Sequence, residues 1–316
     1  VAYNAPVNAF MLNDNTVTVT VRSGVSVGDT VRVAISPPSA GIPVRVDAIT
    51  ERSAGGERLR IERTADTLTV RGTVAPDQRP VTVWRTVPDP VAYAGSVFRT
   101  ALIDAGVTIG DSLIVATAPD SNTTTLAVIH SASLDVLIRR FLKKSHNLTG
   151  EALLKHLGTT FRGTGSWECG LQATRSILHT FAGIDSTTYR LADGSGLSRY
   201  TEISPRALAT LLRAASDEFT MAPEIFAAMP IAGVDGTLAR RLSEDPIAGT
   251  VRGKTGSMTG VSSLAGVLET REGEKLVYCL LMNGFPGSSW AAREMQDRIV
   301  SHLRELPCVS EQSVCP

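Results

Sequence analysis

Hydrophobic and polar residues alternate along most of the first 85 residues of the chain. The segments NTVTVTVR, DTVRVAI, RLRIER and DTLTVRGTV have an apolar residue at nearly every second position, and Gly, Pro, Asn and Asp separate them. This alternation is typical of half-buried β-strands between turns. A helical spacing follows in DPVAYAGSVFRTALIDAG, and then a strand-like DSLIVATA. The first part of the chain is therefore predicted to be a β-rich module that closes with a helix and a strand.

The pattern becomes helical after the polar stretch PDSNTTT. SLDVLIRRFLKK, GEALLKHLG, ECGLQATRSILHTF and SPRALATLLRAA have apolar residues at helical spacing. Near the end, GTVRGKTG, VSSLAGVLET and EKLVYCLLMNG predict three strands joined by short turns, and an amphipathic helix follows from about Trp290 to Leu306. An antiparallel meander with a helix on one face indicates an α+β domain. We therefore predict a β-rich domain at 1–124 and an α+β domain at 125–316.

Length and charge narrow the classes of partner. The 316 residues suffice for one large domain or two ordinary ones. Lys plus Arg and Asp plus Glu balance at 31 each, so the chain has no broad electrostatic footprint for nucleic acid or anionic lipid. No apolar run approaches the ~18 to 20 residues that cross a bilayer. A small neutral or zwitterionic partner is the more natural expectation.

The cysteines and histidines do not indicate a metal site. Cys169, Cys279, Cys308 and Cys315 are too scattered for a disulfide framework, and no two of them form a Cys-x-x-Cys pair. Buried or incidental thiols explain them, although Cys308 and Cys315 could close a small loop in an oxidising compartment. The five histidines show no metal-ligand spacing.

The stretch RGKTGSMTG, residues 252–260, is unusual for a strand. Lys254 and Thr255 offer a positive charge and a hydroxyl to a carboxylate. Gly256 removes the side chain that would stop a ligand backbone from approaching the strand, and such an edge can pair with an extended peptide. Lys-Thr-Gly alone occurs by chance in about one chain in ten of this size. An ordinary strand after a turn therefore explains it equally well.

Two further segments carry candidate chemistry. Ser145 and Asn147, in KKSHNLTGEALLKHLG, can direct a hydroxyl and an amide into one cleft, but both are also common turn and cap residues. The Gly- and Ser-rich loop in RLADGSGLSRYTEISPRAL suits a cleft wall, and Ser204-Pro205 opens the next helix. This loop is not a nucleophile elbow, because Asp193 stands where the first Gly of Gly-x-Ser-x-Gly would be.

Taken together and in this order, Ser145-His-Asn147, DGSGLSR…ISP and Lys254-Thr-Gly256 resemble the motifs of the penicillin-binding acyl-transferase superfamily. Within it, the chain is similar over essentially its whole length to the low-molecular-mass class C penicillin-binding proteins, the D-alanyl-D-alanine carboxypeptidase/endopeptidases. The resemblance implies an α+β fold. The main domain would be a serine β-lactamase/penicillin-binding-protein-like domain, whose antiparallel sheet is flanked by helices. A β-rich accessory domain would be inserted between the first two family motifs.

The resemblance also implies a function. It implies hydrolysis of the terminal D-Ala-D-Ala bond of peptidoglycan stem peptides, and of peptide cross-links as a second reaction, through an acyl-enzyme. β-Lactams would bind the same site. Neither a metal nor an organic cofactor, a nucleic acid or a membrane span is implied, and the location would be periplasmic or otherwise extracytoplasmic.

Residue roles follow from the same resemblance. Lys254 and Thr255 would hold the substrate's terminal carboxylate and help proton transfer, and Gly256 would permit close approach. The N–H of Ser257 would form half of an oxyanion hole, a contact typically worth ~3 kcal/mol in the transition state.

The second motif would act on the leaving group and on the acyl side. Ser145 would shuttle the proton to the leaving D-alanine, and Asn147 would hydrogen-bond the acyl-side carbonyl.

The family takes its nucleophile and base from Ser-x-x-Lys, and no Ser-x-x-Lys exists in these 316 residues. Because that motif precedes the β-rich insertion in the family, we expect it on an upstream segment or on a companion chain. We also expect such a segment to cover the apolar edge of the strand EKLVYCLLMNG.

Two alternatives remain. A binding protein that kept the cleft and lost the nucleophile would show the same motifs, and Ser-x-x-Lys upstream of Val1 would distinguish the enzyme from it. A β-lactamase or esterase of the same superfamily would share the three elements too. The large β-rich N-terminal part argues against this second alternative, because compact β-lactamases do not carry such an insertion.

Overall fold

The computed structural model describes residues 5–38, 41–52, 58–64, 66–110, 114, 116, 123–244 and 246–307. The chain separates into two compact units, Val1–Val128 and Ile129–Pro316. The sequence also predicts that each part is a domain of its own, and this stays a prediction. Cys308 and Cys315, the pair that could close a loop, lie outside the described residues, and Cys169 and Cys279 are half-buried free thiols.

Among its described residues, the first unit contains two three-stranded sheets and one α-helix. Its elements are β1 (Thr16–Arg22), β2 (Arg32–Ser36), β3 (Val44–Thr50), β4 (Arg60–Thr64), β5 (Thr67–Val74), β6 (Val81–Thr86) and α1 (Pro90–Asp104). One sheet has the order β2-β1-β6 and is antiparallel throughout. The other has the order β3-β5-β4, in which β3 runs parallel to β5 and β4 runs antiparallel to it.

Alternating valines build the core of this unit. Val17, Val19 and Val21 of β1 are all fully buried, and they share one cluster with Leu68 and Val70 of β5. This is the period-two burial expected when one face of each sheet is covered. The β-rich prediction is confirmed for the described residues, whereas most of the strand predicted at DSLIVATA lies outside them. Strands β3 and β6 were not individually predicted, because the side chains along both are mainly exposed or only half-buried.

The second unit contains six helices and two small sheets among its described residues. Its elements are α2 (Leu134–Lys144), α3 (Asn147–Arg162), α4 (Trp167–Ala182), β7 (Tyr189–Arg190), β8 (Glu202–Ile203), α5 (Pro205–Asp217), α6 (Ala222–Ala228), β9 (Val251–Met258), β10 (Val261–Glu269), β11 (Lys275–Asn283) and α7 (Trp290–Arg304). Strands β9, β10 and β11 form the predicted antiparallel meander. Helices α5 and α7 both contact it, and Val300 of α7 is fully buried in the sheet's core cluster.

The helix ends follow their capping residues. Ser204 accepts a hydrogen bond from the Ala207 N–H (3.1 Å) and Pro205 occupies the first turn of α5, as predicted. Helix α3 begins at Asn147, three residues before the start predicted from GEALLKHLG. Helix α6 and the 3₁₀ turn Gly236–Leu238 were not predicted, because each is too short to show a hydrophobic period.

A tyrosine crosses a row of glycines at the centre of the meander. Tyr278, Gly266 and Gly253 occupy paired positions on β11, β10 and β9. A Cβ on Gly253 would meet the Tyr278 hydroxyl at 2.5 Å, and a Cβ on Gly266 would overlap the carbonyl oxygen of Arg252. The Tyr278 hydroxyl donates a long hydrogen bond of 3.4 Å to that same carbonyl. The glycines therefore make room for the ring, and the ring fixes the strand immediately before Lys254.

Replacement of Gly266 should destabilise the sheet. In Gly266→Ala the new methyl group meets the backbone of β9, so we expect the free energy of unfolding to fall by about 1–3 kcal/mol. Urea denaturation measures this. Gly110→Ala, where no atom lies within 4 Å of the added Cβ, is the matched control and should change stability by less than about 0.5 kcal/mol. Equal effects of the two substitutions would contradict this account of the sheet.

Candidate active site

The turn between α2 and α3 positions Ser145. This residue adopts a left-handed conformation (φ 52°) as the C-cap of α2, and Asn147 follows as the first residue of α3. A left-handed conformation is uncommon for a residue with a Cβ, and such strain is often found at functional sites. Next to it, the His146 Nδ1 lies 2.7 Å from the Thr149 hydroxyl. Because the turn is this short, Ser145 and Asn147 are held together at the junction of two helices.

Lys254 of β9 reaches across the unit to this junction. Its Nζ donates a hydrogen bond of 2.8 Å to the Ser145 Oγ, although the two residues are 109 positions apart in the chain. The same amine lies 2.5 Å from the carbonyl oxygen of Thr255. Burial lowers the pKa of Lys254 from 10.5 to about 8, because a desolvated amine favours its neutral form. The amine can therefore gain or lose a proton near physiological pH while in contact with a hydroxyl.

Thr255 and Gly256, the two residues after Lys254, each have a partner on another element. The Thr255 hydroxyl donates to the Thr237 hydroxyl at 2.7 Å. Gly256 lies opposite Ser263 of β10, and a Cβ at 256 would overlap the Ser263 hydroxyl. This glycine is thus required by the neighbouring strand, in addition to the ligand approach proposed from the sequence.

A half-buried ion pair holds Thr237 near the strand. The Lys143 Nζ lies 2.6 Å from the Asp235 Oδ2 and donates to the Met229 carbonyl at 2.7 Å. Burial by itself raises the pKa of Asp235, but hydrogen bonds from Lys143 and from the Ile231 N–H outweigh burial and lower the pKa. The pair fastens the end of α2, two residues before Ser145, to the segment that carries Thr237.

The DGSGLSR loop is fixed by two carboxylates. Glu151 of α3 accepts hydrogen bonds from the N–H groups of Gly194 (3.2 Å) and Ser195 (3.0 Å) and from the Trp167 indole (2.7 Å). Asp193 lies within the loop and accepts from the hydroxyls of Ser195 and Thr201 and from the N–H of Ser198.

Close backbone packing joins the loop to α3. A Cβ at Gly150 would lie 2.5 Å from the Gly194 carbonyl oxygen, and a Cβ at Gly194 would lie 2.5 Å from the Gly150 carbonyl oxygen. At the other end of the loop, the Arg199 guanidinium donates to the Thr259 carbonyl (2.9 Å) after β9. The loop therefore connects the helix that starts at Asn147 with the end of the Lys-Thr-Gly strand, as suits a cleft wall.

Among the sequence candidates, the structure brings Ser145 and Lys254 into direct contact and places Asn147 two residues from Ser145. Thr255, Gly256 and Ser257 follow on the same strand. Sequence reasoning missed several residues that support this cluster, which are Lys143, Glu151, Asp235, Thr237 and Arg293. The phrase VDGTL, which has an Asp and a Gly-Thr after a turn, is the local signal that could have directed attention to Asp235 and Thr237.

The site contains no metal-binding cluster in the described part of the chain, where no group of three or more His, Cys, Asp or Glu side chains could hold an ion. No helix among the described residues is long and apolar enough to cross a bilayer. This arrangement can transfer a proton between the Lys254 amine and the Ser145 hydroxyl. The transfer would take place beside β9, a strand with hydroxyl side chains.

The shifted Lys254 should be visible in the pH dependence of stability. The unfolded chain holds this proton more tightly than the folded protein, so the free energy of unfolding should rise between pH 8 and pH 10. Between pH 8 and pH 10, we expect the free energy of unfolding to rise by about 2 kcal/mol more in the wild type than in Lys254→Met. Urea denaturation at both pH values measures the difference. A difference between the wild type and Lys254→Met that does not change with pH would contradict the shift.

Removal of the Glu151 carboxylate should loosen the loop. Glu151→Ala leaves the Gly194 and Ser195 N–H groups and the Trp167 indole without their acceptor, so we expect a loss of about 1–3 kcal/mol in unfolding free energy. Hydrogen exchange at residues 193–198 should increase in parallel. Glu294→Ala, on the exposed face of α7, is the control and should leave both measurements unchanged. Unchanged exchange in Glu151→Ala would show that the loop is held without the carboxylate.

Comparison with known proteins places the chain in a family. The curated relatives include the D-alanyl-D-alanine carboxypeptidase of Actinomadura sp. (strain R39), which is 34% identical over 295 residues, or 86% of this chain and 54% of that protein. The D-alanyl-D-alanine carboxypeptidase DacB of Haemophilus influenzae is 30% identical over 242 residues, or 75% of this chain and 50% of that protein. The chain thus spans about half the length of these relatives.

Solved structures show the same fold. Penicillin binding protein 4 (dacB) from Haemophilus influenzae superposes with a TM-score of 0.83 at 24% sequence identity, and the match covers 97% of this chain and 70% of that one. The likeness confirms the predicted α+β architecture, a penicillin-binding-protein-like sheet flanked by helices together with a β-rich part. A family model described as the D-Ala-D-Ala carboxypeptidase 3 (S13) family matches residues 1–306. The chain therefore belongs to the D-Ala-D-Ala carboxypeptidase 3 (S13) family.

Proposed function

We propose that this chain carries the proton-transfer and substrate-binding part of the active site of a serine-type D-Ala-D-Ala carboxypeptidase that acts on peptidoglycan stem peptides. The observation that carries the proposal is the 2.8 Å hydrogen bond between the Lys254 amine and the Ser145 hydroxyl. It joins the two family motifs found in the sequence into one proton-conducting pair. Hydrolysis of an amide needs such a pair, because the departing amine must receive a proton.

The reaction is an acyl transfer to a serine followed by hydrolysis. The nucleophilic serine oxygen forms a bond with the carbonyl carbon of the penultimate D-alanine, and the amide C–N bond breaks. The lysine of Ser-x-x-Lys takes the nucleophile's proton, which passes on to the Ser145–Lys254 pair. The Ser145 hydroxyl then delivers a proton to the nitrogen of the leaving D-alanine. Water then cleaves the ester. Because Lys254 has a pKa of about 8, it is protonated in part of the molecules and neutral in the rest at neutral to mildly alkaline pH.

The Lys-Thr-Gly strand supplies the binding edge. The Thr255 hydroxyl and the Lys254 charge suit the terminal carboxylate, Gly256 lets the peptide approach, and the Ser257 N–H suits the developing oxyanion. Asn147, at the start of α3, suits the acyl-side carbonyl. Peptide cross-links and β-lactams offer the same carboxylate next to a scissile amide, so this site accepts them as well. Because peptidoglycan lies outside the cytoplasm, we infer an extracytoplasmic location.

The nucleophile of this proposal is a Ser-x-x-Lys serine contributed from outside these 316 residues, since the sequence contains no such motif. The edge of β11 supports a further segment. In the described part of the chain no strand pairs with its outer side, and its side chains are mostly half-buried and apolar. Unpaired apolar edges promote aggregation unless something covers them. A pseudoenzyme would keep the same pair without the nucleophile.

Labelling by a fluorescent penicillin tests the proposal. We expect the full-length protein from its native host to form an adduct that survives denaturing electrophoresis. Ser145→Ala and Lys254→Gln should each lower the rate of adduct formation by about 10²- to 10⁴-fold, because each removes one member of the proton-transfer pair. Ser176→Ala, at an exposed serine of α4, is the control and should label at the wild-type rate.

Mass spectrometry of the labelled peptide separates the alternatives. An adduct on the serine of a Ser-x-x-Lys peptide supports the proposal. An adduct on Ser145 itself would instead make Ser145 and Lys254 a self-sufficient nucleophile and base. The absence of any adduct, with the fold intact by circular dichroism, would support the binding protein without enzymatic activity.

A further inference from the structure

Helix α7 brings a guanidinium group to the strand that carries Lys-Thr-Gly. The Arg293 Nη2 donates a hydrogen bond of 3.2 Å to the Ser257 Oγ, which directly follows Gly256 on β9. Both side chains are exposed. The contact links a residue of the C-terminal helix to the proposed substrate-binding edge, although no motif in the sequence indicates that they meet.

Side-chain alternation puts this arginine beside a row of hydroxyls. Successive side chains of a strand point to opposite faces, so Thr255 and Ser257 share one side of β9. The Thr255 hydroxyl donates to Thr237, which leaves the proton of the Thr237 hydroxyl available for a ligand. The Ser257 hydroxyl accepts from Arg293 and keeps its own proton available in the same way. Hydroxyl donors and one cation thus lie along one side of the strand.

Arg293 itself has no acidic partner in the described part of the chain. The acid one helical turn further on, Asp297, binds Arg241 instead, through contacts of 2.7, 3.1 and 3.2 Å. Arg241 also donates to Gln296 and to the carbonyl oxygen of Arg293. The carboxylate that could neutralise Arg293 is therefore held by a neighbouring arginine, and the Arg293 charge remains available to a ligand at Ser257.

We infer that Arg293 is a specificity-determining residue that binds, together with the Ser257 hydroxyl, the free carboxylate of the leaving D-amino acid. This inference rests on the proposed function. A planar guanidinium can offer two parallel N–H donors to a carboxylate, which a lysine ammonium cannot do. Lys254 shares its proton with Ser145, so Arg293 adds a permanent positive charge to that of Lys254 and strengthens the discrimination between a terminal acid and a neutral end group.

The test compares two peptides that share the scissile bond and differ only at the terminus. One ends in D-Ala-D-alanine with a free carboxylate, and the other ends in D-Ala-D-alaninamide. In the full-length protein, Arg293→Gln should lower kcat/KM for the acid about tenfold, the size typical of one lost charge-assisted hydrogen bond. It should leave kcat/KM for the amide unchanged, so that the acid-to-amide ratio falls about tenfold as well. Arg293→Lys should retain part of this ratio.

Arg298→Gln is the matched control, because Arg298 is an exposed arginine of the same helix that has no contact with β9 among the described residues. It should leave both rates unchanged. If Arg293→Gln lowers both rates equally, Arg293 only ties α7 to β9, and the inference is wrong. If the wild-type protein hydrolyses neither peptide and forms no penicillin adduct, the proposed function fails and the inference fails with it. A wild type that hydrolyses both peptides at equal rates overturns the inference alone.

Discussion

The contact between the Lys254 amine and the Ser145 hydroxyl is the constraint on which the rest of the second unit depends. It requires that the end of α2 and the middle of β9 lie within reach of one side chain. The left-handed turn at Ser145 and the ion pair between Lys143 and Asp235 supply that placement on the helical side. Tyr278 and the glycines beneath it supply it on the strand side. Burial of the amine then lowers its pKa to about 8, which converts a structural contact into a pair capable of exchanging a proton.

Close backbone approach, more than a large apolar core, holds the walls of the cleft in place. Gly150 of α3 and Gly194 of the loop are packed so tightly that neither position has room for a methyl group. The carboxylate of Glu151 accepts from two amides of the same loop, so that polar groups taken out of water keep partners. A loop fixed by its backbone in this way can present side chains to a ligand with little loss of conformational entropy. This explains why a Gly-rich segment, usually flexible, suits a binding site here.

The chain is neutral overall, yet its charges are distributed unevenly around the site. Asp235 is paired with Lys143, and Asp297 is paired with Arg241. Asp235 and Asp297 are therefore neutralised by structural cations, and Glu151 and Asp193 accept hydrogen bonds from the loop. Lys254 and Arg293, by contrast, contact hydroxyl groups. A neutral composition excludes a broad polyanion-binding surface, but it does not set the electrostatic potential at the site. There, the potential favours a single carboxylate. The arrangement agrees with a small zwitterionic substrate.

By itself, the sequence predicted most of the longer elements and the motif residues. Period-two valines predicted β1 and β5, capping residues predicted α5, and the paired motifs at Ser145 and Lys254 indicated the site and the family. Only the tertiary structure decided which residues meet these motifs: Glu151 under the loop, Thr237 beside Thr255, and Arg293 beside Ser257. It also decided that β3 lies parallel to β5. The physical reason is that a hydrophobic period records which face of its own element a residue occupies, whereas a contact between distant elements depends on packing that no local pattern encodes.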